Sequence, residues 1–354
     1  MVDKYPGVET ASHARGALWT KIVFDAWRDG WRRVAHAPAV VMGVFALTFV
    51  LALPLALSLR SLLEAHAGRS AMSVDAAEGI SYDWWQEFLS QATGLGTTFT
   101  PAIVGFAATL DNISSLADAQ SEIASVVGAL ALYLAGWTLV AGGIIDRYAR
   151  QRRTRAYGFF AASGVFFFRF LRLAAVSGIF YWWMFRYVHP WLFDEWYPRL
   201  TDAVTVERTA FFVRAALYGA FGLVLVLANL VFDYSKIRAV VEDRRSMLGA
   251  LMAALRFIQR NAGRTISLYS LNASAFVLLL IVWALLAPGV GGDGLSFWLG
   301  FLLTQCYVLA RLALKLQFLA SQTSLFQASL AHARYTAAPE PVWPESPAAE
   351  TIRA

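Results

Sequence analysis

The stretches Leu130-Ala131-Leu132-Tyr133-Leu134-Ala135-Gly136-Trp137-Thr138-Leu139-Val140-Ala141-Gly142-Gly143-Ile144-Ile145 and Ala275-Phe276-Val277-Leu278-Leu279-Leu280-Ile281-Val282-Trp283-Ala284-Leu285-Leu286 are almost unbroken in apolar side chains. A membrane β-barrel strand alternates apolar and polar positions over roughly ten residues, and no such alternation runs through either stretch. Both therefore read as helices, which satisfy their own backbone polar groups in hydrocarbon. Crossing a core of about 30 Å takes around 20 helical residues. Runs of that kind recur six times, at approximately Ala39–Leu59, Ala124–Ile145, Leu171–Trp191, Phe211–Phe232, Ile266–Leu286 and Ser296–Leu316.

Composition agrees. Of 354 residues 58% are hydrophobic and 15% charged, where soluble proteins carry roughly a quarter charged residues. Disorder and a large soluble catalytic domain are both excluded. The lone cysteine, Cys306, excludes an internal disulfide framework and a cysteine-based metal site. The expected class is an all-α, polytopic membrane helical bundle.

Lys and Arg set the expected orientation. They crowd the N-terminal arm (Lys4, Arg15, Lys21, Arg28, Arg32, Arg33), the second connection (Arg147 to Arg155) and the fourth (Lys236 to Arg264). The first connection instead holds Glu64, Asp75, Glu78, Asp83, Glu87, Asp111, Asp118 and Glu122 against Arg60 and Arg69. This predicts both termini inside, in a multi-pass protein of a bacterial inner (plasma) membrane. The net charge of +6 then belongs to the cytoplasmic face, and no nucleic-acid partner is implied. About 38 polar and mixed residues precede the first apolar run, which therefore reads as a retained span and not a cleaved signal peptide. The expected organisation is an arm at 1–38 with an interfacial helix, a membrane domain at 39–335 with a structured outer loop at 60–123, and a disordered, proline-containing tail at 336–354.

The basic segments resemble one another. Phe24–Arg33, Ala162–Arg172 and Met247–Arg260 each place an aromatic residue or Leu directly before an Arg. Asp146 stands 23 residues before Arg169, and Asp233 stands 23 before Arg256. Such spacing predicts three repeats of an interfacial helix lying flat in the headgroup region followed by a helical hairpin. It also predicts that each Asp lies near the Arg of its own or the adjacent unit.

The run Asp233-Tyr234-Ser235-Lys236-Ile237-Arg238-Ala239-Val240-Val241-Glu242-Asp243, with Leu251–Asn261, resembles uncharacterised bacterial six-helix integral membrane proteins. More distantly it resembles the membrane domain attached to some glycerophosphodiester phosphodiesterases. The outer-loop run Asp83-Trp84-Trp85-Gln86-Glu87-Phe88, with Thr98–Pro101 and Gly105-Phe106, fits the first group. The resemblance covers about 20 to 330 and implies no catalytic residues, since the phosphodiesterase activity belongs to a separate soluble barrel.

In the outer loop, Tyr82–Ser90 spaces Trp84, Trp85, Phe88 and Leu89 as an amphipathic helix with Asp83 and Glu87 four apart. After a flexible Gly94-Leu95-Gly96, Thr100 is positioned to cap a helix from Pro101 to about Leu116. That segment reads either as a re-entrant lid over a cavity or as a helix packed on the bundle. Charges inside spans are the usual pointers to transport. Arg311 and Lys315 share one helical face four residues apart, and Asp146 and Asp233 close spans on the same side. Arg311 lies near 22 Å from the outer end of its span and can snorkel to the inner boundary. Asn229, Asn272 and Gln305 read as interhelical hydrogen-bonding groups. Arg186, His189 and Arg214 could line an anion entrance, and headgroup contact explains them equally.

For enzyme chemistry the sequence offers little. The five histidines lack metal-ligand spacing, and there is no GxSxG or Walker A motif. The glycine-rich Pro288–Gly294 follows a span, not a strand, and reads as a turn. No cofactor is implied. Membrane lipids, other membrane subunits or a second copy are the expected partners. Two functions remain in view: a non-enzymatic transporter of an amphipathic or lipid-like solute, or scaffold subunit of a membrane complex; and a membrane-embedded enzyme using Asp83, Glu87 and Asp111, flanked by Trp84 and Trp85.

Overall fold

A computed structural model describes residues 7–70, 81–99, 107–120, 123–151, 154–287 and 294–332. The expected tail, most of the Pro288–Gly294 turn and the Thr100–Pro101 cap lie outside these residues. The helices are α1 (Gly7–Ala35), α2 (Pro38–Ala67), α3 (Tyr82–Gln91), α4 (Ala107–Ala117), α5 (Ala124–Arg150), α6 (Ala156–Trp183), α7 (Tyr197–Thr201), α8 (Glu207–Val241), α9 (Met247–Arg260), α10 (Ala262–Leu286) and α11 (Gly294–His332). π-helical segments Met184–Val188 and Trp191–Trp196 carry α6 on towards α7. Among the described residues six helical runs are long and apolar enough to cross a membrane: α2, α5, Ala156–Thr201, α8, α10 and α11. Each contains one of the six apolar runs. The chain is an all-α, multi-pass integral membrane protein.

Local chemistry sets several boundaries. Pro38 opens α2 directly after α1 ends, using a position where its missing N–H costs nothing. Ser81 caps α3 by accepting from Trp84 N, and Ser246 caps α9 by accepting from Gly249 N. α2 runs on to Ala67, so the outer loop begins about two turns later than its hydropathy suggests. Gly94 to Thr98 form a 3₁₀ turn in place of the expected flexible hinge.

α11 is the hub, touching α1, α2, α5, α8 and α10. At about 1.5 Å per residue its 39 residues reach about 58 Å, nearly twice the hydrocarbon thickness. Burial concentrates towards the basic end: Ala141–Tyr148 on α5, Leu230–Val240 on α8 and Leu312–Phe326 on α11. At the opposite end Leu130, Leu132, Leu134, Phe211, Phe212, Leu295 and Phe297 are all exposed. Water drives apolar burial where helices overshoot the bilayer, whereas inside it lipid tails compete equally well for apolar faces. The core follows that rule.

α1 does not lie free in the headgroup layer. It runs antiparallel along α11 and buries Val23, Ala26 and Val34, with Ala37 buried in the joint that follows. At the crossing a Cβ on Gly30 would stand 2.8 Å from Ser321 Cα, so only glycine permits this approach. Polar ties fix the register. Gln317 Nε2 donates to Trp27 O at 2.8 Å, and Ser324 Oγ donates to Asp29 Oδ2 at 2.7 Å. The buried Arg33 guanidinium donates to Asp29, to Tyr148 O and to Gln327 Oε1, so it ties α1 to both α5 and α11.

The three expected units differ at their entry helices. α9 is a separate amphipathic helix that buries Met247, Ala250 and Ala254 and exposes Arg256 and Arg260. In the second unit no break separates Ala162–Arg172 from the span, and both belong to α6. That helix crosses α5 closely, since a Cβ on Gly143 would meet Phe159 O at 2.7 Å.

Candidate ligand groove in the membrane plane

On α8 the sequence spaces Leu225, Asn229, Asp233 and Lys236 at four, four and three residues, so they form one stripe. Between this stripe and the faces of α6 and α10 lies an open groove of about 440 Å³, lined by Leu116, Tyr181, Phe185, Leu225, Val226, Asn229 and Tyr269. Its walls change character along its length. One end is apolar, with Leu116, Phe185, Leu225 and Val226. The other carries the Asn229 amide and the Tyr181 and Tyr269 phenols.

Asn229 Nδ2 donates to Tyr269 Oη at 3.1 Å, joining α8 to α10, and to Asp233 Oδ2 at 3.3 Å. Lys236 Nζ donates to Asp233 Oδ1 at 3.0 Å, so both carboxylate oxygens are engaged. Tyr181 lies within electrostatic reach of Asp233 and Tyr269. Lys315 on α11 lies within electrostatic reach of Lys236, Asp233 and Arg311. Its ammonium sits 3.9 Å from the centre of the Trp137 ring and donates to Tyr133 Oη at 3.2 Å. On α8 Arg214 and Lys236 stand 22 residues apart, about 33 Å and hence one hydrocarbon thickness. Leu225 and Val226 thus sit near mid-bilayer, and Asp233, Lys236 and Lys315 near the boundary at the basic end.

The apolar end of the groove is closed by α4. His189 Nε2 donates to Ala117 O at 2.7 Å, Tyr218 Oη donates to Asp118, and Arg214 pairs with Asp118 at 3.4 Å. These contacts dock α4 on α6 and α8, with Leu116 against the groove. His189 and Arg214 are thereby engaged as ties between α4 and the spans. His189 belongs to the same continuation of α6 as the two π-helical segments; such segments are frequent at functional sites.

α3 docks elsewhere, at the end of α2. His66 meets Trp84 and Phe88 edge-on at 5.7 and 5.2 Å, Trp85 Nε1 donates to Phe99 O at 2.9 Å, and Ser70 Oγ donates to Glu87 Oε2 at 2.5 Å. Asp83 is exposed on α3 and Asp111 is exposed on α4. The three outer carboxylates therefore sit on two helices docked at different places, with Glu87 committed to Ser70.

The spacing-based charge pairs are not formed. Asp146 pairs with Arg150 at 2.7 Å and Asp233 with Lys236, each on its own helix. Arg169 bonds Asp243 at 2.6 Å, and Arg256 is exposed on α9. A partner one helical turn away is reached before any residue 23 positions on. Sequence reasoning did single out Asp233, Asn229, Arg311 and Lys315, which the fold brings towards one place. It missed Tyr181, Tyr269, Tyr133 and Trp137, because aromatic residues in apolar spans carry no signal of which neighbour they face. Lys236 was legible from its helical spacing with Asn229 and Asp233. Among the described residues no group of three or more His, Cys, Asp or Glu side chains is placed to hold a metal. No family model, curated protein or solved structure matches the chain.

Proposed function

We propose that this chain is a transporter of an amphipathic, lipid-like solute in the bacterial inner membrane, with its basic end facing the cytoplasm. The observation that carries the reading is the groove, open to the membrane plane and graded from apolar at mid-bilayer to polar at the basic boundary. An amphiphile lying along it places its tail against Phe185, Leu225 and Val226 and its polar end near Asn229, Tyr269 and Lys236. Ligand sites of this kind combine mostly apolar lining with a few convergent polar groups.

The test is lipid translocation in reconstituted vesicles, followed by reduction of fluorescently labelled phosphatidylglycerol with an impermeant reductant. Protein-containing vesicles should lose inner-leaflet fluorescence faster than empty ones. Val226→Trp, which fills the groove, should slow that loss about tenfold, equivalent to about 1.4 kcal/mol. Translocation no faster than in empty vesicles overturns the transport reading.

A scaffold role draws support from a different feature. Gly294–Leu299, the first turns of α11, are exposed on every face, as an interface with another membrane subunit or a second copy would leave them. Cross-linking from a cysteine at Leu299 should trap such a neighbour in native membranes.

A further inference from the structure

We infer that the groove selects an anionic, phosphate-bearing lipid and holds its phosphate between Lys236 and Lys315. The inference rests on the groove reading above and adds the headgroup class. α8 and α11 are in contact, and Lys315 on α11 lies within electrostatic reach of Lys236, Arg311 and a single carboxylate, Asp233, which bonds the groove-lining Asn229 one helical turn away. Both oxygens of that carboxylate are already engaged by Asn229 and Lys236. Its charge is therefore spent inside the protein and offers little to a cationic headgroup.

Neither Arg311 nor Lys315 forms an ion pair among the described residues. Lys315 instead rests on the Trp137 ring face, which orients the ammonium without neutralising it. The surplus is positive, and its complement is an anion. Lysine ammonium groups bind phosphate as compact point charges with several donors. Their level also fits, since Lys236 and Lys315 stand where phospholipid phosphates of the basic-side leaflet lie when the acyl chain occupies the groove.

The test uses the full chain purified in detergent, titrated separately with phosphatidylglycerol, phosphatidylcholine and inorganic phosphate, and read by native mass spectrometry and thermal unfolding. Phosphatidylglycerol should bind in preference to phosphatidylcholine. Neutralisation in K236Q or K315Q should each reduce that preference about fivefold, as expected for about 1 kcal/mol per lysine at a membrane surface. R245Q, which removes an exposed cation elsewhere, should leave the preference intact. K315Q alone decides the matter if K236Q, losing the tie to Asp233, fails to fold. Equal binding of the two lipids by the parent chain overturns the inference, as does an equal loss in R245Q. Stabilisation by inorganic phosphate matching that by phosphatidylglycerol overturns the lipid as the source of the anion. Val226→Trp separates the two readings: if it leaves lipid binding unchanged, the groove reading itself falls. If it abolishes binding of both lipids while the parent chain shows no preference, only the headgroup assignment falls.

Discussion

Gln322 lies between Leu319 and Phe326 on one stripe of α11, with only 1% of its surface exposed, and neither atom of its amide has a partner among the described residues. An unsatisfied buried amide costs about 1–3 kcal/mol, and an apolar side chain of similar volume removes that cost. Gln322→Leu should therefore raise stability by about 1–2 kcal/mol in thermal unfolding. Five residues on, Gln327 gives the opposite expectation. It accepts from Arg33 and donates to Ala149 O, so Gln327→Leu should destabilise by a similar amount. A loss at Gln322 as large as at Gln327 would show that its amide is satisfied after all. At this scale the sequence was legible where chemistry alone decides. Asn229 and Asn272 do bond across helices, to Tyr269 and Ser321. It was not legible where geometry decides. Nothing local distinguishes the buried Arg33, tying three helices, from the exposed Arg28 and Arg32 beside it.

Gly30 and Gly143 each sit at a close helix crossing. Adding a methyl at Gly30 forces α1 away from the α11 backbone, since Ser321 Cα cannot yield as a side-chain tip can. Gly30→Ala should cost about 1–3 kcal/mol. Gly43→Ala on α2 and Gly219→Ala on α8 meet nothing within 4 Å, and each should be neutral or gain up to about 1 kcal/mol from helix propensity. Equal losses at all three positions would sink the close-crossing argument. The six long apolar helices were legible from hydropathy, because six apolar runs have one economical solution in a bilayer. Their entry helices were legible only where a breaker stands. Pro38 separates α1 from α2 and Asn261 separates α9 from α10. Between Phe170 and Leu171 no cap or proline intervenes, so the apolar span and its basic lead-in merge into one helix.

Across the whole molecule the basic segments gather at one end, with the buried core, and the acidic outer helices at the other. With Cys306 replaced by Ser, a cysteine at the exposed Gln86 should react with an impermeant reagent in intact cells, while one at the exposed Arg245 should react only after lysis. The reverse pattern would overturn the orientation proposed above. The groove was the least legible feature at this scale: Tyr181, Asn229 and Tyr269 come from helices about 40 to 90 residues apart, and only their convergence makes a site. The packing of α1 along α11 bears on how the protein comes to be made. Val23–Arg33 must wait for Leu312–Gln327, nearly the whole length of the chain later, before the ties at Gly30, Asp29 and Arg33 can close. A nascent chain halted before α11 therefore leaves the face of α1 that carries Gly30, Asp29 and Arg33 uncovered.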